Sequence, residues 1–459
     1  MEPTVHSFSA GFDPLWLISR YPEFYPGILE SGSRGAFQPS AGATATDHPP
    51  RYDIVPFVCG ESLRLDSEFV LSGHAATPKR GFLGSLERWQ ASLAEPASTR
   101  AVLPFRGGWL VYLGYEIAAE VEPKLRLPKC SPSYVALALR APAAWISDRS
   151  TGQAWVVAEA GFEHLIGRFK KHVTESGALP GIETTDYTIT EDDPAEFCAR
   201  VRRALEYIGA GDIYQANLSR GWWVGSARPI DPVSVYRRLR NANPGPFSAL
   251  MRFRDFAVVS SSPERLVASD GRRVSSRPIA GTRPRGATWA EDQFLIRQLL
   301  DNEKEQAEHV MLIDLERNDL GRVCVGGSVI VDEFMSVETY AHVHHIVSNV
   351  SGVLRPEFST VDLIRAVFPG GTITGCPKFR CMQIIAELES EGRGAYTGSI
   401  GYINRDGSAD FNILIRTMSL NRNELRFRSG AGIVADSDPG RELAETRAKA
   451  EGLLRALRR

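Results

Sequence analysis

The sequence predicts an α+β fold built on large, mostly antiparallel β-sheets. Short strand-like runs recur through its C-terminal part, at residues 256–260, 323–331, 343–350, 398–403, 411–418 and 425–427. Most of these runs are separated by short turns and do not alternate regularly with helices, which favours antiparallel pairing over a doubly wound parallel sheet. Hydrophobic residues form 43% of the 459 residues, so the chain can bury a large core.

Composition excludes several classes of protein. The 53 Lys and Arg residues nearly balance the 55 Asp and Glu residues, which argues against a general nucleic-acid binder. No apolar run approaches the ~18 residues that a membrane span requires, and the N-terminus has no basic segment followed by an apolar stretch. The six cysteines include no CxxC pair. We therefore expect a cytoplasmic protein with reduced thiols and with neither nucleic acid nor membrane as a partner.

Two polar stretches divide the chain. Residues 32–50 are rich in Gly, Ala, Ser, Thr and Pro and predict an exposed insertion. A second soft stretch spans 176–193, and a helix is predicted after it because Asp193 can cap the first turn and proline follows at the first helical position. We expect an N-terminal region at 1–185 and a catalytic region at 190–459.

The segment 301–318 predicts a helix that presents a pair of carboxylates. Glu305 and Glu308 are three residues apart, so both side chains can lie on one face. Taken alone, such a pair is typical of a solvated helix surface. A neighbouring group of the same kind changes this interpretation.

The last helix offers a second acidic pair beside a cation. It is predicted to begin at Asp438, which is followed by proline, and it places Glu442, Glu445 and Lys449 along one face. If the two acidic faces meet, the carboxylates repel one another unless a cation lies between them. Oxygen ligands without cysteine suit Mg²⁺, which prefers a few carboxylates together with water and an anionic substrate.

A glycine-rich strand precedes the last helix. Gly430 and Gly432 flank Ala431, and glycines within a strand allow a ligand to approach backbone N–H groups closely. A β-bulge at a sheet edge is the alternative interpretation. The segment 371–378 resembles a phosphate-binding loop only superficially, because a proline at 377 removes an N–H that such a loop needs. We therefore expect no nucleotide hydrolysis.

Three histidines lie close together at 342, 344 and 345. In a strand the first two face one way and the third faces the other, so zinc ligation by all three is unfavourable. A single functional histidine, His345, is the favoured interpretation, with a packed or solvated histidine as the alternative.

Ordered motifs carry a resemblance to a known family. The motifs follow one another along the chain as SSPERL (261–266), RPIAGTRPRG (277–286), KEQAEHVMLIDLERNDLGRV (304–323), VHHIVS (343–348), GGTITGCPK (370–378), GSIGY (398–402), IRT (415–417), GAGIVADSDP (430–439) and ELAETRAKA (442–450). Together they resemble the motifs of the chorismate-utilising enzymes. That group contains component I of anthranilate synthase and of aminodeoxychorismate synthase, and the isochorismate and salicylate synthases. The resemblance covers 195–459 and implies a β-sandwich core flanked by helices.

The resemblance also implies roles for individual residues. Glu308 and Glu445 would bind Mg²⁺, with Glu305 and Glu442 as water-mediated partners. His345 would act as an acid that assists loss of the 4-hydroxyl of chorismate, beside Thr372 at the reacting ring. The substrate would be bound by Gly281, Thr282, Tyr402, Arg416, Gly430, Ala431, Gly432 and Lys449.

The subfamily is suggested by local sequence. Water-using members have a lysine base where this chain has Gln215, so ammonia is the expected nucleophile. Six segments resemble aminodeoxychorismate synthase component I, which makes 4-amino-4-deoxychorismate for 4-aminobenzoate and folate biosynthesis. Ala280 instead matches anthranilate synthase, the alternative, since many aminodeoxychorismate synthases carry a reactive lysine there. An inactive small-molecule sensor is a further alternative, which the retained acidic residues disfavour.

Two partners follow from the same resemblance. The chain contains no G-x-C-x-G glutaminase motif, so a separate glutaminase subunit is expected to supply ammonia. The segment ILES (28–31) resembles the tryptophan-contact motif of the family. Ser31 could form a tryptophan pocket with Asn243, Pro244 and Phe247, and a plain packed β-core is the alternative.

Overall fold

A computed structural model describes residues 3–8, 11–32, 51–96, 103–130, 133–182, 186–340 and 343–458. The insertion expected at 32–50 lies outside these residues except at its first position, and His342 lies outside them as well. The helices of the described part are α1 (Leu15–Arg20), α2 (Gly81–Ser92), α3 (Ala118–Val121), α4 (His164–Thr174), α5 (Pro194–Gly209), α6 (Pro232–Ala242), α7 (Trp289–Leu300), α8 (Glu303–Gly321), α9 (Thr360–Val367), α10 (Lys378–Leu388) and α11 (Pro439–Leu457). Short 3-10 turns lie at Pro78–Arg80, Tyr115–Ile117 and Gly371–Ile373.

The strands of the described part are short and lie throughout the chain. They are β1 (Thr4–Phe8), β2 (Gly27–Glu30), β3 (Tyr52–Phe57), β4 (Ser62–Asp66), β5 (Leu71–Gly73), β6 (Gly108–Leu113), β7 (Tyr134–Ala141), β8 (Ala143–Asp148), β9 (Ala154–Ala158), β10 (Tyr187–Glu191), β11 (Gln215–Ser226), β12 (Phe247–Phe253), β13 (Phe256–Ser262), β14 (Arg265–Asp270), β15 (Arg273–Ser276), β16 (Ile279–Pro284), β17 (Ile330–Thr339), β18 (Val343–Val353), β19 (Gly375–Cys376), β20 (Ser399–Asn404), β21 (Ser408–Asn412), β22 (Thr417–Asn421) and β23 (Glu424–Ile433).

The strands form two large sheets. Within the described residues, the first sheet has 12 strands in the order β1-β9-β8-β3-β2-β12-β13-β22-β23-β11-β10, with β19 pairing to β11. The second has 11 strands in the order β16-β18-β15-β14-β21-β20-β6-β7-β4-β5, with β17 pairing to β18. Neighbouring strands run antiparallel, as in the pairs β11–β23 and β16–β18. The predicted antiparallel α+β fold is confirmed.

Buried apolar side chains join the two sheets into a sandwich. One core contains Leu110 and Leu137 from the second sheet together with Ile146 and Val258 from the first. Further cores lie on the outer faces: one between the second sheet and α2, α8 and α9, and another between the first sheet and α1, α4, α6 and α11. Each sheet is thus covered by helices on its outer side.

Both sheets draw strands from both ends of the chain. The first sheet contains β1 and β23, and the second contains β4 and β21. The boundary proposed between 1–185 and 190–459 falls at strand β10. The N-terminal region therefore completes sheets that the C-terminal region also builds.

Side-chain caps begin the two helices that carry the acidic pairs. Asn302 accepts a hydrogen bond from the Glu305 amide at the start of α8. Asp438 caps α11 by accepting hydrogen bonds from the amides of Gly440 and Arg441. Both helices form where the sequence predicted them, because a short polar side chain can satisfy the free N–H groups of a first turn.

One predicted strand is interrupted. The run 411–418 was expected to be continuous, but β21 ends at Asn412 and β22 begins at Thr417. Arg416 lies between them with a φ of 52°, in the left-handed region. This turn carries Arg416 out of the sheet and to the wall of the main cavity. The run 323–331 differs too, since β17 begins only at Ile330.

None of the helices in the described residues combines the length and the apolar character needed to cross a lipid bilayer.

Candidate active site

A cavity of about 960 Å³ lies between the ends of the two sheets and the two acidic helices. Its walls come from β11 and β23 of the first sheet, from β16 and β18 of the second, and from α8 and α11. Helix α8 packs against β16 and β18, while α11 packs against β23. The site is therefore built where the sheets meet, and each wall belongs to a different part of the sequence.

The two acidic pairs line this one cavity. Glu305 and Glu308 enter from α8, and Glu442 and Glu445 enter from α11. Burial raises the pKa of Glu308, and the nearby charge of Glu445 raises it further. The structure thus brings together two pairs of carboxylates that are more than 130 residues apart in sequence.

Polar neighbours hold Glu308 and Glu445 in place. The Gln215 side-chain amide donates a 2.9 Å hydrogen bond to Glu308 Oε1. Lys449 Nζ lies 2.7 Å from Glu445 and also donates a 3.2 Å hydrogen bond to the Gly430 carbonyl. Burial also raises the pKa of Glu442. These contacts fix the carboxylates but leave part of their charge facing the cavity.

Glu305 is held differently from the other three. Its Oε1 accepts a 2.7 Å hydrogen bond from Arg283, while its Oε2 is buried without a hydrogen-bond partner. Gly281, at φ 68°, lies against this carboxylate, and a Cβ there would come within 2.5 Å of Glu305 Oε2. Glycine is required at 281 by both the backbone conformation and the space.

The carboxylates fit a magnesium site that substrate and water would complete. Within the described residues, no three His, Cys, Asp or Glu side chains lie close enough to hold a metal ion alone. Mg²⁺, however, commonly takes only one or two carboxylates, with waters and an anionic substrate as its other ligands. The repulsion between Glu308 and Glu445 and the unpartnered oxygen of Glu305 would both be relieved by such a cation.

His345 is buried at the cavity wall. Its Nδ1 lies 2.9 Å from the Thr282 hydroxyl and 3.3 Å from the Gly281 carbonyl, while its Nε2 is buried and has no partner. Burial, aided by the charge of Arg416, lowers the pKa of His345 to about 4. The imidazole is therefore neutral at neutral pH, and its Nε2 is available for a hydrogen bond.

The glycine-rich strand presents its glycines to the cavity and its alanine to the core. Gly430 and Gly432 line the cavity, whereas Ala431 is fully buried in an apolar cluster on the other face of β23. A Cβ at Gly430 would come within 2.5 Å of the Tyr396 hydroxyl. Ala431 can thus contribute only its backbone to the site, as the alternation of a strand requires.

Tyr402 is the predicted substrate residue that the structure places elsewhere. It lies on β20 within the core between the sheets, where its ring packs edge-on against Phe105. It is not among the cavity-lining residues of the described part, whereas Tyr396 is. Sequence reasoning chose the tyrosine of the GSIGY motif and missed the one six residues earlier, because only the fold shows which faces the site.

Glu264 is a second residue that sequence reasoning missed. It lines the cavity, is 5% exposed, and its Oε1 has no hydrogen-bond partner. Burial raises its pKa from 4.5 to about 8, the charge of Glu316 adds to the shift, and the adjacent Thr372 hydroxyl opposes it. Glu264 is therefore a protonated acid at neutral pH. The signal was present in the SSPERL motif, but a lone glutamate gives no sign of its burial.

The residues expected to form a tryptophan pocket are spread over different surroundings. Asn243 and Pro244 line the main cavity. Ser31 is buried, and its hydroxyl donates to the Tyr52 carbonyl. Phe247 lies beneath the guanidinium of Arg265. The tryptophan pocket stays a prediction.

Two other sequence motifs have structural roles. His344 is buried between Asp292, 2.9 Å from its Nε2, and Thr339, 2.9 Å from its Nδ1. Lys378, from the segment that resembles a phosphate loop, is paired with Asp319 and donates to the Val367 carbonyl. Both side chains are engaged by partners within the protein. Neither belongs to the described residues that line the cavity.

Comparison with known proteins identifies the family. Residues 65–455 match the chorismate binding enzyme family. The chain is 45% identical over 360 residues to an anthranilate synthase component I-like protein of Synechocystis sp., covering 77% of this chain and 73% of that one. It is 50% identical over 268 residues to aminodeoxychorismate synthase component 1 of Bacillus subtilis, covering 58% of this chain and 56% of that one.

Solved structures agree with this match. The crystal structure of anthranilate synthase component I from Streptococcus pneumoniae superposes with a TM-score of 0.79 at 29% identity, covering 91% of this chain and 95% of that one. The menaquinone-specific isochorismate synthase of Escherichia coli, at 19% identity and a TM-score of 0.72, shares the fold. The fold, the cavity and these similarities together show that the chain belongs to the chorismate binding enzymes.

Proposed function

We propose that this protein is the synthase component of an aminodeoxychorismate synthase, which uses Mg²⁺ and ammonia to convert chorismate to 4-amino-4-deoxychorismate. The observation that carries the proposal is the single cavity in which four carboxylates, Arg416, Lys449 and the protonated Glu264 converge. The product would serve 4-aminobenzoate and folate biosynthesis. These groups match chorismate, because a dianionic substrate needs cations to bind it and a poor leaving group needs a Lewis acid and a proton donor.

Charge complementarity supports chorismate as the substrate. Arg416 is partly buried at the cavity wall, and Lys449 enters from α11. The glycines of β23 leave room for a carboxylate beside the backbone, and the Tyr396 hydroxyl lies next to Gly430. One substrate carboxylate would bind these groups, because a buried anion needs cations and donors in place of water.

A magnesium ion would occupy the acidic side of the cavity. Glu308 and Glu445 would bind it directly, and Glu305 and Glu442 would bind its waters. The bound ion would supply Lewis-acid stabilisation of the substrate carboxylate and of the developing negative charge. Gln215 keeps Glu308 oriented through its 2.9 Å hydrogen bond.

Glu264 is the better proton donor for the departing hydroxyl. With its pKa raised to about 8, its carboxyl carries a proton at neutral pH, whereas His345, with a pKa of about 4, does not carry an extra one. A general acid works best when its pKa lies near the working pH. We therefore assign proton donation to Glu264 and hydrogen bonding near the reacting ring to His345 and Thr372.

Gln215 supports ammonia as the nucleophile. It lines the cavity and bonds Glu308. An amide cannot remove a proton from water, but ammonia attacks without such a base. A separate glutaminase subunit would supply the ammonia in the cytoplasm.

Anthranilate synthase is the second candidate, and Ala280 favours it. Ala280 lines the cavity and offers no amine for covalent attack on chorismate. If 4-amino-4-deoxychorismate is the product, we expect ammonia to add directly. No covalent adduct should then involve position 280, and trapping an adduct on another lysine would refute direct addition.

Product identification tests the proposal. The purified protein is incubated with chorismate, Mg²⁺ and an ammonium salt, and the products are separated by chromatography. We expect 4-amino-4-deoxychorismate, which a 4-aminobenzoate-forming lyase added afterwards would convert. Fluorescent anthranilate formed without any added lyase would support the second candidate instead. No Mg²⁺-dependent consumption of chorismate would contradict both.

A further inference from the structure

A row of buried acids runs from the cavity wall into the protein behind Glu264. Glu264 lies at the wall beside Thr372, and Glu316 lies behind it against the neighbouring Gly371. Glu316 and Asp319 are three residues apart on α8, so they share a face of the helix. At the far end, Asp319 pairs with Lys378, whose side chain is 13% exposed.

These acids lack the partners that buried carboxyls usually have. Glu264 Oε1 and Glu316 Oε2 are both buried and make no hydrogen bond. Buried polar atoms are nearly always paired, so two unpartnered carboxyl oxygens in one row require an explanation. A mobile proton between neighbouring carboxyls provides one, because it needs a free oxygen to receive it.

The reaction in the proposed function consumes one proton at Glu264 in each turnover. The C4–O bond breaks and the Glu264 proton joins the leaving oxygen, which departs as water. The nitrogen lone pair of ammonia forms the new C–N bond, and the product leaves as an ammonium ion. Glu264 is then a carboxylate and must regain a proton. The proton that balances the reaction is the one released when the ammonium ion of the nitrogen source became ammonia.

Solvent in the cavity does not reach the unpartnered oxygen of Glu264. That oxygen is buried, and the whole residue is only 5% exposed. The acids behind it offer another route, which ends where Asp319 pairs with Lys378, whose side chain is 13% exposed. We propose that Glu316 returns the proton to Glu264 through this row of acids. Glu316 is a positioning residue that acts through Glu264 and does not touch substrate.

The charges around the row are compatible with this role. Burial and, to a smaller extent, the charge of Asp319 raise the pKa of Glu316 to about 7. Burial also raises the pKa of Asp319. Neighbouring acids with pKa values near neutrality exchange protons readily and titrate as a group. The charged groups that face the row are Lys449 and Arg416 at Glu264, Lys378 at Glu316, and Lys378 and Arg322 at Asp319.

The test compares Glu316→Gln, which keeps shape but cannot carry a proton, with Asp314→Asn, an exposed acid on the same helix. We expect Glu316→Gln to lower kcat about tenfold or more with the KM for chorismate unchanged, since general-acid steps contribute ~10²–10⁴-fold. Asp314→Asn should leave both constants unchanged. A Glu316→Gln protein with the kcat and pH profile of the wild type would overturn the inference.

Chemical rescue separates proton return from structural support. The smaller Glu316→Ala variant leaves space for a one-carbon molecule, and its activity is measured with added formate or formamide. Formate should restore part of kcat, because its carboxylate can accept a proton and pass it on, and formamide should not. Equal rescue by both molecules would show that Glu316 only fills space, and would overturn the inference.

An infrared titration distinguishes failure of this inference from failure of the proposed function. The carbonyl band of the protonated Glu264 carboxyl, identified by its loss in Glu264→Gln, is followed against pH. Glu316→Gln should move that titration to lower pH, because it removes a neighbouring negative charge. An unchanged titration would refute coupling of the two acids. A wild-type protein that shows the coupling but consumes no chorismate would refute only the proposed function.

Discussion

Replacing Glu264 by Gln tests whether this residue is a protonated acid in the folded protein. Its side chain is buried and its pKa is raised from 4.5 to about 8. In the unfolded chain the carboxyl returns to the ordinary value. Each unit of difference corresponds to about 1.4 kcal/mol, so the whole shift amounts to about 5 kcal/mol.

The sign follows from which state binds the proton more tightly. Between the two pKa values the folded protein holds a proton that the unfolded chain has released, so the free energy of unfolding decreases as pH rises. Glutamine has nearly the same shape and does not titrate. Glu264→Gln should therefore match the wild type below about pH 4.5 and exceed its stability by up to about 5 kcal/mol above about pH 8.

Urea unfolding at a series of pH values measures this difference. Both proteins are unfolded at each pH, and their free energies of unfolding are compared. The m-values of the two proteins should be equal, which shows that the substitution does not change the denatured state. The matched control is Asp314→Asn, because its exposed acid should show no such trend. A stability difference that stays constant across the range would refute the protonated state of Glu264.

Three further predictions concern the cavity. Glu308→Gln or Glu445→Gln should lower Mg²⁺-dependent turnover by about 10²-fold or more with unchanged circular dichroism, since Lewis-acid catalysis supplies several kcal/mol; near-normal activity would defeat the metal assignment. Tyr396→Phe should raise the KM for chorismate about threefold to tenfold by loss of one hydrogen bond, whereas Tyr402→Phe should not, and the reverse order would restore the original assignment. Lys449→Met should raise that KM with little change in melting temperature, because its ion pair is half-exposed, and a large loss of stability would contradict this role.

Sequence reasoning located the acidic pairs because their signals are local. The caps at Asn302 and Asp438 set where α8 and α11 begin, and the helical repeat then fixes which side chains share a face. Convergence of the two faces could not be calculated from either helix. It was expected only from the resemblance, and the fold supplies it by packing α8 and α11 at the ends of different sheets.

The residues that were missed depend on tertiary burial. Glu264 and Tyr396 follow ordinary local patterns, and only the packed structure makes one a protonated acid and the other a cavity wall. Arg416 was expected in the site, but within a continuous strand. A left-handed turn at Arg416 separates β21 from β22 and carries this residue to the cavity. The sequence gives no sign of the turn, because no glycine lies there.

Binding of chorismate with and without Mg²⁺ tests the central claim most directly. Calorimetric titration of the wild-type protein, with no ammonia present, isolates binding from turnover. The arrangement of Glu308 and Glu445 predicts that Mg²⁺ strengthens chorismate binding and that Glu308→Gln abolishes this effect. Equal affinity for chorismate in the presence and absence of the metal would contradict the account.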